Sequence, residues 1–339
     1  MKGKIKILYL GSYSLDAVEY YVNLLAEGVS KKFGKEVESI SDISNIDSDD
    51  IVIVLDAKSH FLVSRKHKKC KVISWFQGVL PEENKMTNPK FNFVNFLRIK
   101  WWEFLEKFSL NHSFCNVFVS EEMRQHYIKK YKYKPKTNDI IIPCYNKSLN
   151  KECFIQERYK KANFVYAGSL DSWQCFEETL QLFKDYQAID ASATLSVLTK
   201  EIDKAKELLK KYDLENVEVV YVPYKEVDKK LQEFKYAFLL RQKHIVNNVA
   251  TPTKMNTYMA NGLIPIFTDS VGFYSRVIPK SDGILVSDQF DKNRMENVKA
   301  IQSYQQKITD AFQLKQQYEA FFDLHYNKDK YIGDIINKI

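Results

Sequence analysis

Residues 251–267 read TPTKMNTYMANGLIPIF and follow the apolar run YAFLLRQK at 236–243. Thr251 is a suitable helix N-cap, Pro252 suits the first helical position, and Gly262 suits the residue just past a helix end. The apolar residues between them share one face of a short helix and are Met255, Tyr258 and Met259. The stretch therefore predicts a strand, a loop, a short helix and a second buried strand.

The predicted helix begins at the carboxyl end of the preceding strand. In an open α/β sheet, anionic ligands bind at this edge. The N-terminus of a helix presents backbone N–H groups and the positive end of the helix dipole. Arg241 and Lys254 add two full positive charges. The sequence therefore predicts a site for a diphosphate, and fixed cations at such a site can stabilise charge on a departing phosphate.

Both halves of the chain repeat the same rhythm of buried strands and helices. The predicted strands of the first half are 4–10, 51–55, 71–76, 115–120 and 139–144, with a helix at 15–33. The second half has predicted strands at 163–169, 193–198, 217–222, 263–267 and 283–287, and predicted helices at 173–186, 200–212, 226–234 and 290–325. Continuous apolar strands separated by helices are typical of parallel sheets covered on both faces. The pattern predicts two Rossmann-like, doubly wound α/β domains.

The length of 339 residues also favours two domains. We assign 1–150 to an N-terminal domain and 160–320 to a C-terminal domain that carries the predicted diphosphate site. Residues 321–339 form a helical tail, for which packing back on the first domain is one open arrangement. The Lys- and Asn-rich segment 145–161 is the predicted linker.

Composition narrows the classes of partner. The formal net charge of +8 suits an anionic ligand or an anionic membrane face. Lysine is spread along the whole chain, which argues against nucleic-acid binding. No signal peptide precedes the first strand, and no apolar run approaches the roughly 20 residues of a membrane span. Five cysteines without close-pair spacing are typical of reduced thiols in a cytosolic protein.

Four segments resemble retaining GT-B glycosyltransferases of the large family 4 type, as found in bacterial capsule and lipopolysaccharide synthesis. The run LLRQKHIVNNVATPTKMNTYMANGLIPIFTDSVGFYS at 239–275 resembles the donor-binding end of that family. SWFQGVLPEE at 74–83, NVFVSEEMRQHY at 116–127 and FVYAGSLDSWQCFEETLQLF at 164–183 resemble its other motifs in the right order. The resemblance implies a GT-B fold with two domains facing across a cleft, and a nucleotide diphosphate-sugar as donor. It makes 1–150 the acceptor domain and 160–320 the donor domain.

The resemblance also assigns residue roles. Arg241, Lys254 and Gln77 become the catalytic candidates, with Lys243 competing for a phosphate contact. Relatives often carry His where Gln77 stands, and a neutral amide positions a hydroxyl but cannot shuttle a proton near neutral pH. The remaining donor-binding candidates are Gly168, Ser169, Thr199, Tyr224, Asn247, Thr253 and Thr257, and the candidates for the acceptor or sugar side are Gly11, Gly78, Glu82 and Glu83.

Each of these residues also has an ordinary structural interpretation. Gly168 can serve a turn, Tyr224 can be a half-buried edge aromatic, and Asn247 can close a loop. The family's Glu-x7-Glu pair falls on Val249 and Thr257, neither of which is acidic. This difference leaves ribose recognition and the identity of the base open among UDP, GDP, CDP and dTDP.

Metal ligands are not indicated. Asp47-Ser48-Asp49 has DxD lettering but lies in a polar loop before a predicted strand, which favours a solvated turn. The six histidines have no ligand spacing. We therefore expect no metal and no cofactor, and the absence of an obvious protein nucleophile fits the front-face mechanism proposed for the family.

Residues 89–108, PKFNFVNFLRIKWWEFLEKF, are rich in aromatics and interleaved with cations. They are either a core helix of the first domain or a face that lies on an anionic membrane. We predict a cytoplasmic glycosyltransferase, with peripheral binding to the inner face of the membrane left open, that uses a surface-glycan or lipid-linked acceptor. The alternatives are a GT-B-like scaffold subunit without activity and a dinucleotide-dependent oxidoreductase, although no G-x-G-x-x-G follows any predicted strand.

Overall fold

The computed structural model describes residues 3–10, 15–90, 92–214, 216–278 and 282–339. These residues form two compact units. Unit 1 consists of Met1–Asn146, Asn248–Thr251 and Asn327–Ile339, and unit 2 consists of Lys147–Asn247 and Pro252–Tyr326. The chain passes from unit 1 to unit 2 inside the segment 145–161.

Unit 1 contains a sheet of six parallel strands within the described residues, in the order β2-β1-β3-β4-β5-β6. The strands are β1 (Ile5–Leu8), β2 (Val37–Ile40), β3 (Ile51–Val54), β4 (Lys71–Phe76), β5 (Cys115–Phe118) and β6 (Ile140–Ile141). β1 and β3 are neighbours, and the strand order reverses between them. Such a switch point leaves a crevice at the carboxyl ends of the strands.

The helices of unit 1 cover this sheet. They are α1 (Leu15–Phe33), α2 (Ala57–Lys66), α3 (Leu80–Thr87), α4 (Phe93–His112), α5 (Glu121–Tyr131) and α14 (Lys328–Lys338). α14 comes from the C-terminal end of the chain and packs on α1. Ile335 of α14 is buried, and a side chain on Gly28 of α1 would collide with it, so the glycine permits the close approach of the two helices.

Unit 2 contains a second sheet of six parallel strands, in the order β12-β11-β10-β7-β8-β9 within the described residues. The strands are β7 (Asn163–Ala167), β8 (Thr194–Leu198), β9 (Val217–Val220), β10 (Tyr236–Leu239), β11 (Ile264–Thr268) and β12 (Ile284–Val286). The order reverses between β7 and β10, which pair directly. The prediction of two Rossmann-like domains is confirmed.

The helices assigned to unit 2 are α6 (Phe176–Gln187), α7 (Ile202–Tyr212), α8 (Tyr224–Leu231), α10 (Thr253–Ala260), α11 (Gly272–Val277), α12 (Arg294–Gln305) and α13 (Ala311–His325). The short helix α9 (Ile245–Val249) begins in unit 2 and ends in residues assigned to unit 1. The region 290–325, predicted as helical throughout, is two helices. The break falls before Asp310, whose carboxylate accepts from two backbone N–H groups and starts α13.

The start of α10 differs from the prediction. The helix begins at Thr253, and Pro252 is the N-cap residue, with an extended ψ of 125° and no side-chain cap. Thr251 therefore does not cap α10. Its hydroxyl instead accepts a hydrogen bond from the backbone N–H of Cys144 at 3.0 Å.

The end of α10 agrees with the prediction. Gly262 has a positive φ of 70°, and its N–H donates to the carbonyl of Met259 at 3.0 Å. The N–H of Leu263 donates to the carbonyl of Tyr258 at 3.0 Å, which completes a Schellman motif. The chain then enters β11 at once, so the short α10 is fixed at its end by the neighbouring strand.

Candidate functional site

Arg241 follows β10 at the carboxyl edge of the unit 2 sheet, beside the switch point. Only 5% of its surface is exposed. Thr268, at the end of β11, holds its backbone from both sides, since the Thr268 hydroxyl accepts from Arg241 N–H at 3.0 Å and donates to Arg241 O at 2.8 Å. The backbone of Arg241 is therefore fixed between the ends of two neighbouring strands.

Lys254 lies in the first turn of α10 and reaches the same edge. Its ammonium donates to Gln174 Oε1 at 2.8 Å and stands 5.2 Å from the centre of the Tyr166 ring in β7. Arg241 interacts electrostatically with Tyr166 as well as with Lys254. The two predicted cations are thus brought together at the ends of β7 and β10.

Neither cation forms an ion pair within the described part of the chain. Among the residues that the structure describes, no carboxylate oxygen lies within 4.0 Å of Arg241 or Lys254. Burial lowers the pKa of Lys254 well below its usual value and the positive charge of Arg241 lowers it further, while the Asp171 carboxylate acts weakly in the opposite direction. Burial also lowers the pKa of Arg241. Two partly desolvated like charges without an ion-paired carboxylate are costly, and a bound anion relieves that cost.

Arg241 and Arg158 differ in how many of their guanidinium N–H groups are used within the fold. Arg158 is another largely buried arginine of unit 2, and its guanidinium donates to the carbonyls of Cys153, Leu231, Phe234 and Asn261. Within the described part of the chain, the Arg241 guanidinium donates only to Leu240 O, at 2.7 Å. A guanidinium has five N–H donors. The N–H groups of Arg158 thus bond mainly to backbone carbonyls, whereas most N–H groups of Arg241 are available to bind a ligand.

Gly168 provides the space that Lys254 occupies. It has a positive φ of 139°, which disfavours any side chain, and a Cβ there would collide with the Lys254 ammonium. The Gly168 N–H donates to Leu198 O at 2.9 Å, so the residue still extends the β7–β8 ladder. The glycine at the end of β7 is therefore required for the position of the cation.

We expect Gly168→Ala to weaken nucleotide binding at least about tenfold and to cost about 1 kcal/mol of folding stability, because it displaces Lys254 and strains the backbone. Titration calorimetry with UDP and thermal unfolding measure the two effects. Gly34→Ala is the matched control, since Gly34 has a positive φ of 62° with no atom near its missing Cβ. It should lose stability only, and equal binding by both variants would contradict the assignment.

The other donor-side candidates lie at the same sheet edge with different degrees of engagement. Ser169 is exposed, and its hydroxyl donates to Asp171 at 2.6 Å. Thr199 is buried, and its hydroxyl accepts from Glu201 N–H at 3.2 Å. Tyr224 is 48% exposed at the start of α8, with the Lys147 ammonium 5.1 Å from its ring centre. Tyr224 is the aromatic residue among these three, and its half-exposed ring is accessible to a ligand.

The candidates around α9 and α10 are mostly engaged within unit 2. Asn247 is buried and donates to Gln242 O at 2.8 Å, which closes the loop after Arg241. Lys243 is exposed in that loop. The Thr257 hydroxyl bonds back to Thr253 O at 3.1 Å along the helix. Val249 is buried, so position 249 lies in apolar packing where the family pattern has Glu.

A cavity of about 990 Å³ elsewhere in unit 2 does not suit an anion. Neither Arg241 nor Lys254 lines it. Its charged lining comprises Asp171, Glu177, Glu178, Asp185, Asp288 and Asp291 against Lys204, Lys292 and Arg294. The excess of carboxylates repels phosphate, so this cavity is a poorer site for an anion than the surroundings of Arg241 and Lys254.

Unit 1 has its own cavity, of about 700 Å³, at the carboxyl ends of β3 and β4. Gln77 lines it, accepts from the Tyr21 hydroxyl at 3.4 Å, and leaves its amide Nε2 without a partner among the described residues. Trp75 Nε1 in the same lining is also unsatisfied there. Two buried N–H donors without acceptors favour a ligand that carries hydroxyl or carbonyl oxygens.

The candidates that follow Gln77 do not all face the cavity. Gly78 and Glu83 line it, whereas Glu82 does not. Glu83 lines the cavity, accepts from Val79 N–H at 2.9 Å, and approaches Gly78 so closely that a side chain there would collide with it. Burial raises the pKa of Glu83. Glu82 points into an ion pair with Lys130 at 2.7 Å and does not line the cavity. Gly11 lies outside the described residues.

Searching the described residues finds no group of three or more His, Cys, Asp or Glu that could hold a metal ion. Asp47, Ser48 and Asp49 form an exposed turn, in which the Ser48 hydroxyl donates to Asp49 at 3.2 Å. The same part of the chain contains no helix that is both long and apolar enough to span a membrane.

Sequence comparison finds no relative: no protein-family model matches the chain, and neither does any curated protein. Solved structures do match. TarM from S. aureus, as a mutant in complex with Fondaparinux, alpha-GlcNAc-glycerol and UDP, is 15% identical with a TM-score of 0.64 over 93% of this chain and 58% of that one. A UDP-forming trehalose-phosphate synthase from Burkholderia vietnamiensis is 9% identical with a TM-score of 0.63, over 99% and 97% of the two chains. The fold is GT-B.

A third GT-B neighbour is the pneumococcal O-GlcNAc transferase GtfA in complex with UDP and GlcNAc, 11% identical with a TM-score of 0.58. The match covers 86% of this chain and 58% of GtfA. It thus spans little more than half the length of GtfA and of TarM. At these identities the likeness establishes the GT-B fold, while the function has to be argued from the site.

Sequence reasoning missed several residues of both sites. Thr268 could have been found, because it ends the strand after the one that carries Arg241. Gln174 and Tyr166 contact Lys254 from segments distant in sequence, and no local pattern marks them. In unit 1, Trp102 and Glu106 of α4 line the cavity. They were hidden in an aromatic-rich helix whose two faces cannot be told apart by composition.

Proposed function

We propose that this protein is a metal-independent, retaining glycosyltransferase that uses a nucleotide diphosphate-sugar. The observation that carries the proposal is the pair Arg241 and Lys254, two largely desolvated cations at a Rossmann switch point that form no ion pair with a carboxylate of the described residues. A diphosphate carries the charge and the acceptor oxygens that this pair lacks. The GT-B fold and the UDP present in two neighbours support the same donor class.

In the proposed reaction, the bond between the anomeric carbon and the donor phosphate oxygen breaks, and its electron pair stays on that oxygen. Arg241 and Lys254 stabilise the negative charge that develops there. An acceptor hydroxyl forms the new bond to the anomeric carbon on the same face and passes its proton to the departing phosphate. No protein nucleophile and no metal ion take part in these steps.

We assign the acceptor to the cavity of unit 1. The free Nε2 of Gln77 and the Trp75 Nε1 offer donors to sugar hydroxyls, and Glu83 offers an acceptor. Gln77 therefore positions a hydroxyl and does not remove its proton. A surface glycan or a lipid-linked sugar fits this lining.

Thermal unfolding with UDP-, GDP-, CDP- and dTDP-sugars tests the donor class. At least one of them should raise the melting temperature, because a ligand that binds only the folded state stabilises it. Product analysis with the stabilising donor then tests transfer. A chain that no donor stabilises would contradict the proposal and favour the alternative, a GT-B-like scaffold subunit without activity.

A further inference from the structure

The lining of the unit 1 cavity is acidic. Three carboxylates belong to it, those of Asp56, Glu83 and Glu106. Lys58 is the one cation among the described residues of the lining, and it is exposed at the start of α2, so solvent weakens the effect of its charge. The cavity therefore carries an excess of negative charge, the opposite of the diphosphate site in unit 2.

Two of these carboxylates are engaged within the fold. Asp56 is the N-cap of α2 and accepts hydrogen bonds from the Ser59 N–H at 2.8 Å and from the Ser59 hydroxyl at 2.6 Å. Glu106 accepts from the Tyr131 hydroxyl at 2.6 Å and lies 3.3 Å from the Lys130 ammonium. Both side chains are therefore accounted for by the structure of unit 1, and neither needs a ligand.

Glu83 is the carboxylate of the lining that lacks a cation. One of its oxygens accepts from the Val79 N–H at 2.9 Å, and the other accepts no hydrogen bond from the described residues. No Lys, Arg or His nitrogen of these residues lies within 4.0 Å of its carboxylate. Burial raises the pKa of Glu83, and the charge of Glu82 adds to this rise against the lowering effect of the Val79 hydrogen bond. Such a rise is expected for a largely buried carboxylate without a counter-charge.

The positive charges beside α3 and α4 are already shared by other carboxylates. The Lys130 ammonium lies 2.7 Å from Glu82 and 3.3 Å from Glu106. The His126 imidazole lies 3.6 Å from Glu82 as well. One lysine and one histidine thus serve two other carboxylates, and Glu83 keeps an unpaired negative charge. A cationic ligand would relieve the cost of burying that charge.

The rest of the lining indicates what kind of molecule carries the cation. Trp75 is 1% exposed, and its Nε1 has no acceptor among the described residues. The Nε2 of Gln77 lacks an acceptor there too. These two donors require oxygen atoms of a ligand. Phe76 and Trp102 complete this part of the lining, and aromatic rings both pack against sugar rings and attract ammonium groups.

We propose that the unit 1 cavity binds a sugar that carries a free, positively charged amine. The ammonium group pairs with the carboxylate of Glu83, and hydroxyl oxygens of the same sugar accept from Gln77 Nε2 and Trp75 Nε1. As a statement about the acceptor, this inference rests on the proposed function, which places the acceptor in this cavity. The amine serves recognition, and a hydroxyl of the amino sugar forms the new glycosidic bond.

Neutral sugars satisfy this lining less well. A hydroxyl or an N-acetyl group can donate a hydrogen bond to Glu83, but neither brings the positive charge that the buried carboxylate lacks. A hydrogen bond between two charged groups is roughly twice as strong as one between neutral groups. A simple amine such as ethanolamine brings the charge without the several oxygens that Gln77 and Trp75 require. The inference therefore separates three kinds of ligand.

Calorimetric titration of the full chain without any nucleotide tests the proposal. The probes are methyl glucosides with a free amine at carbon 2 or carbon 6, their N-acetyl derivatives, unmodified methyl glucoside and ethanolamine. Near neutral pH, we expect at least one amino sugar to bind about tenfold or more tightly than its N-acetyl derivative, than methyl glucoside and than ethanolamine. Equal affinity for an amino sugar and its N-acetyl derivative, equal affinity for ethanolamine, or no binding of either amino sugar overturns the proposal.

A pair of variants locates the contact. Glu83→Gln keeps an oxygen for the Val79 N–H and removes the charge, so it should bind the amino sugar about tenfold more weakly and methyl glucoside within about twofold of the wild type. Glu121→Gln is the matched control, because Glu121 pairs with Arg124 at 2.7 Å on α5 and does not line the cavity. Thermal unfolding checks that both variants fold. An unchanged preference for the amine in Glu83→Gln, or an equal loss in Glu121→Gln, overturns the assignment of Glu83.

These titrations and the donor experiment fail independently. Binding of the amino sugar without stabilisation by any nucleotide-sugar would keep the ligand assignment of the cavity and remove the transferase. Stabilisation by a donor without binding of an amino sugar would keep the transferase and remove this inference. Where both succeed, transfer to the amino sugar should exceed transfer to its N-acetyl derivative about tenfold in kcat/KM.

Discussion

Replacing Arg241 by alanine is expected to lower the turnover number at least about hundredfold, corresponding to roughly 3 kcal/mol of transition-state stabilisation. The guanidinium is already desolvated and the Arg241 backbone is fixed by Thr268, so little reorganisation is needed when charge develops on the departing phosphate. Steady-state kinetics with the donor that stabilises the protein measure this loss. Because the effect arises mainly in the transition state, kcat should fall more than KM rises.

Arg276→Ala is the control for this variant. Arg276 is an exposed arginine of α11 in the same unit, and its removal should leave turnover within about twofold. Arg158→Ala provides a contrast, because that guanidinium supports four backbone carbonyls and its loss should act on stability. Equal turnover by wild type and Arg241→Ala would remove Arg241 from the reaction.

Replacing Lys130 by methionine is expected to cost about 3–5 kcal/mol of folding stability near neutral pH. Its ammonium lies 2.7 Å from Glu82 and 3.3 Å from Glu106, both nearly buried between α3, α4 and α5. Removing it leaves two carboxylates without their main counter-charge. Urea unfolding of the variant measures the loss, and Lys129→Met, an exposed neighbour on α5, should change stability by less than about 0.5 kcal/mol.

The loss should shrink at low pH. Burial raises the pKa of Glu82, but the neighbouring His126 imidazole and Lys130 ammonium outweigh it and hold the pKa at about 2. This carboxylate therefore stabilises the fold above pH 4.5, and that gain disappears as the pH falls toward 2. Burial raises the pKa of Glu106 to about 7, so Glu106 becomes neutral below that pH and needs Lys130 less. A loss that stays constant from pH 8 to pH 4 would contradict this account.

The fold was predictable from buried strands, because apolar runs such as 51–55 and 71–76 must be covered on both sides. β2 was missed for a physical reason. Only Ile40 of its four residues is buried, and it lies at the edge of the sheet, so its sequence resembles a polar loop. The start of α10 was misplaced because Thr251 and Pro252 suit a helix start locally, while tertiary contacts with Cys144 decide otherwise.

The candidate site was predictable where one residue ends a strand and another opens a helix, as with Arg241 and Lys254. What could not be predicted was how these residues are held. Gln174 lies 80 residues from Lys254 in sequence, and only the fold brings its Oε1 close enough to accept a hydrogen bond from the Lys254 ammonium. The two roles of α4 were likewise open in sequence, since core burial and surface display use the same aromatic residues.

Calorimetric titration of inorganic pyrophosphate, which carries two phosphoryl groups without base or sugar, gives the sharpest test of the diphosphate site. We expect binding by the wild type, at least about tenfold weaker binding by Lys254→Ala, and near-normal binding by Lys235→Ala. Lys235 is a matched buried lysine at the opposite end of β10, with its ammonium 2.7 Å from Gln305 Oε1. Equal pyrophosphate affinity in the wild type and Lys254→Ala would contradict the account.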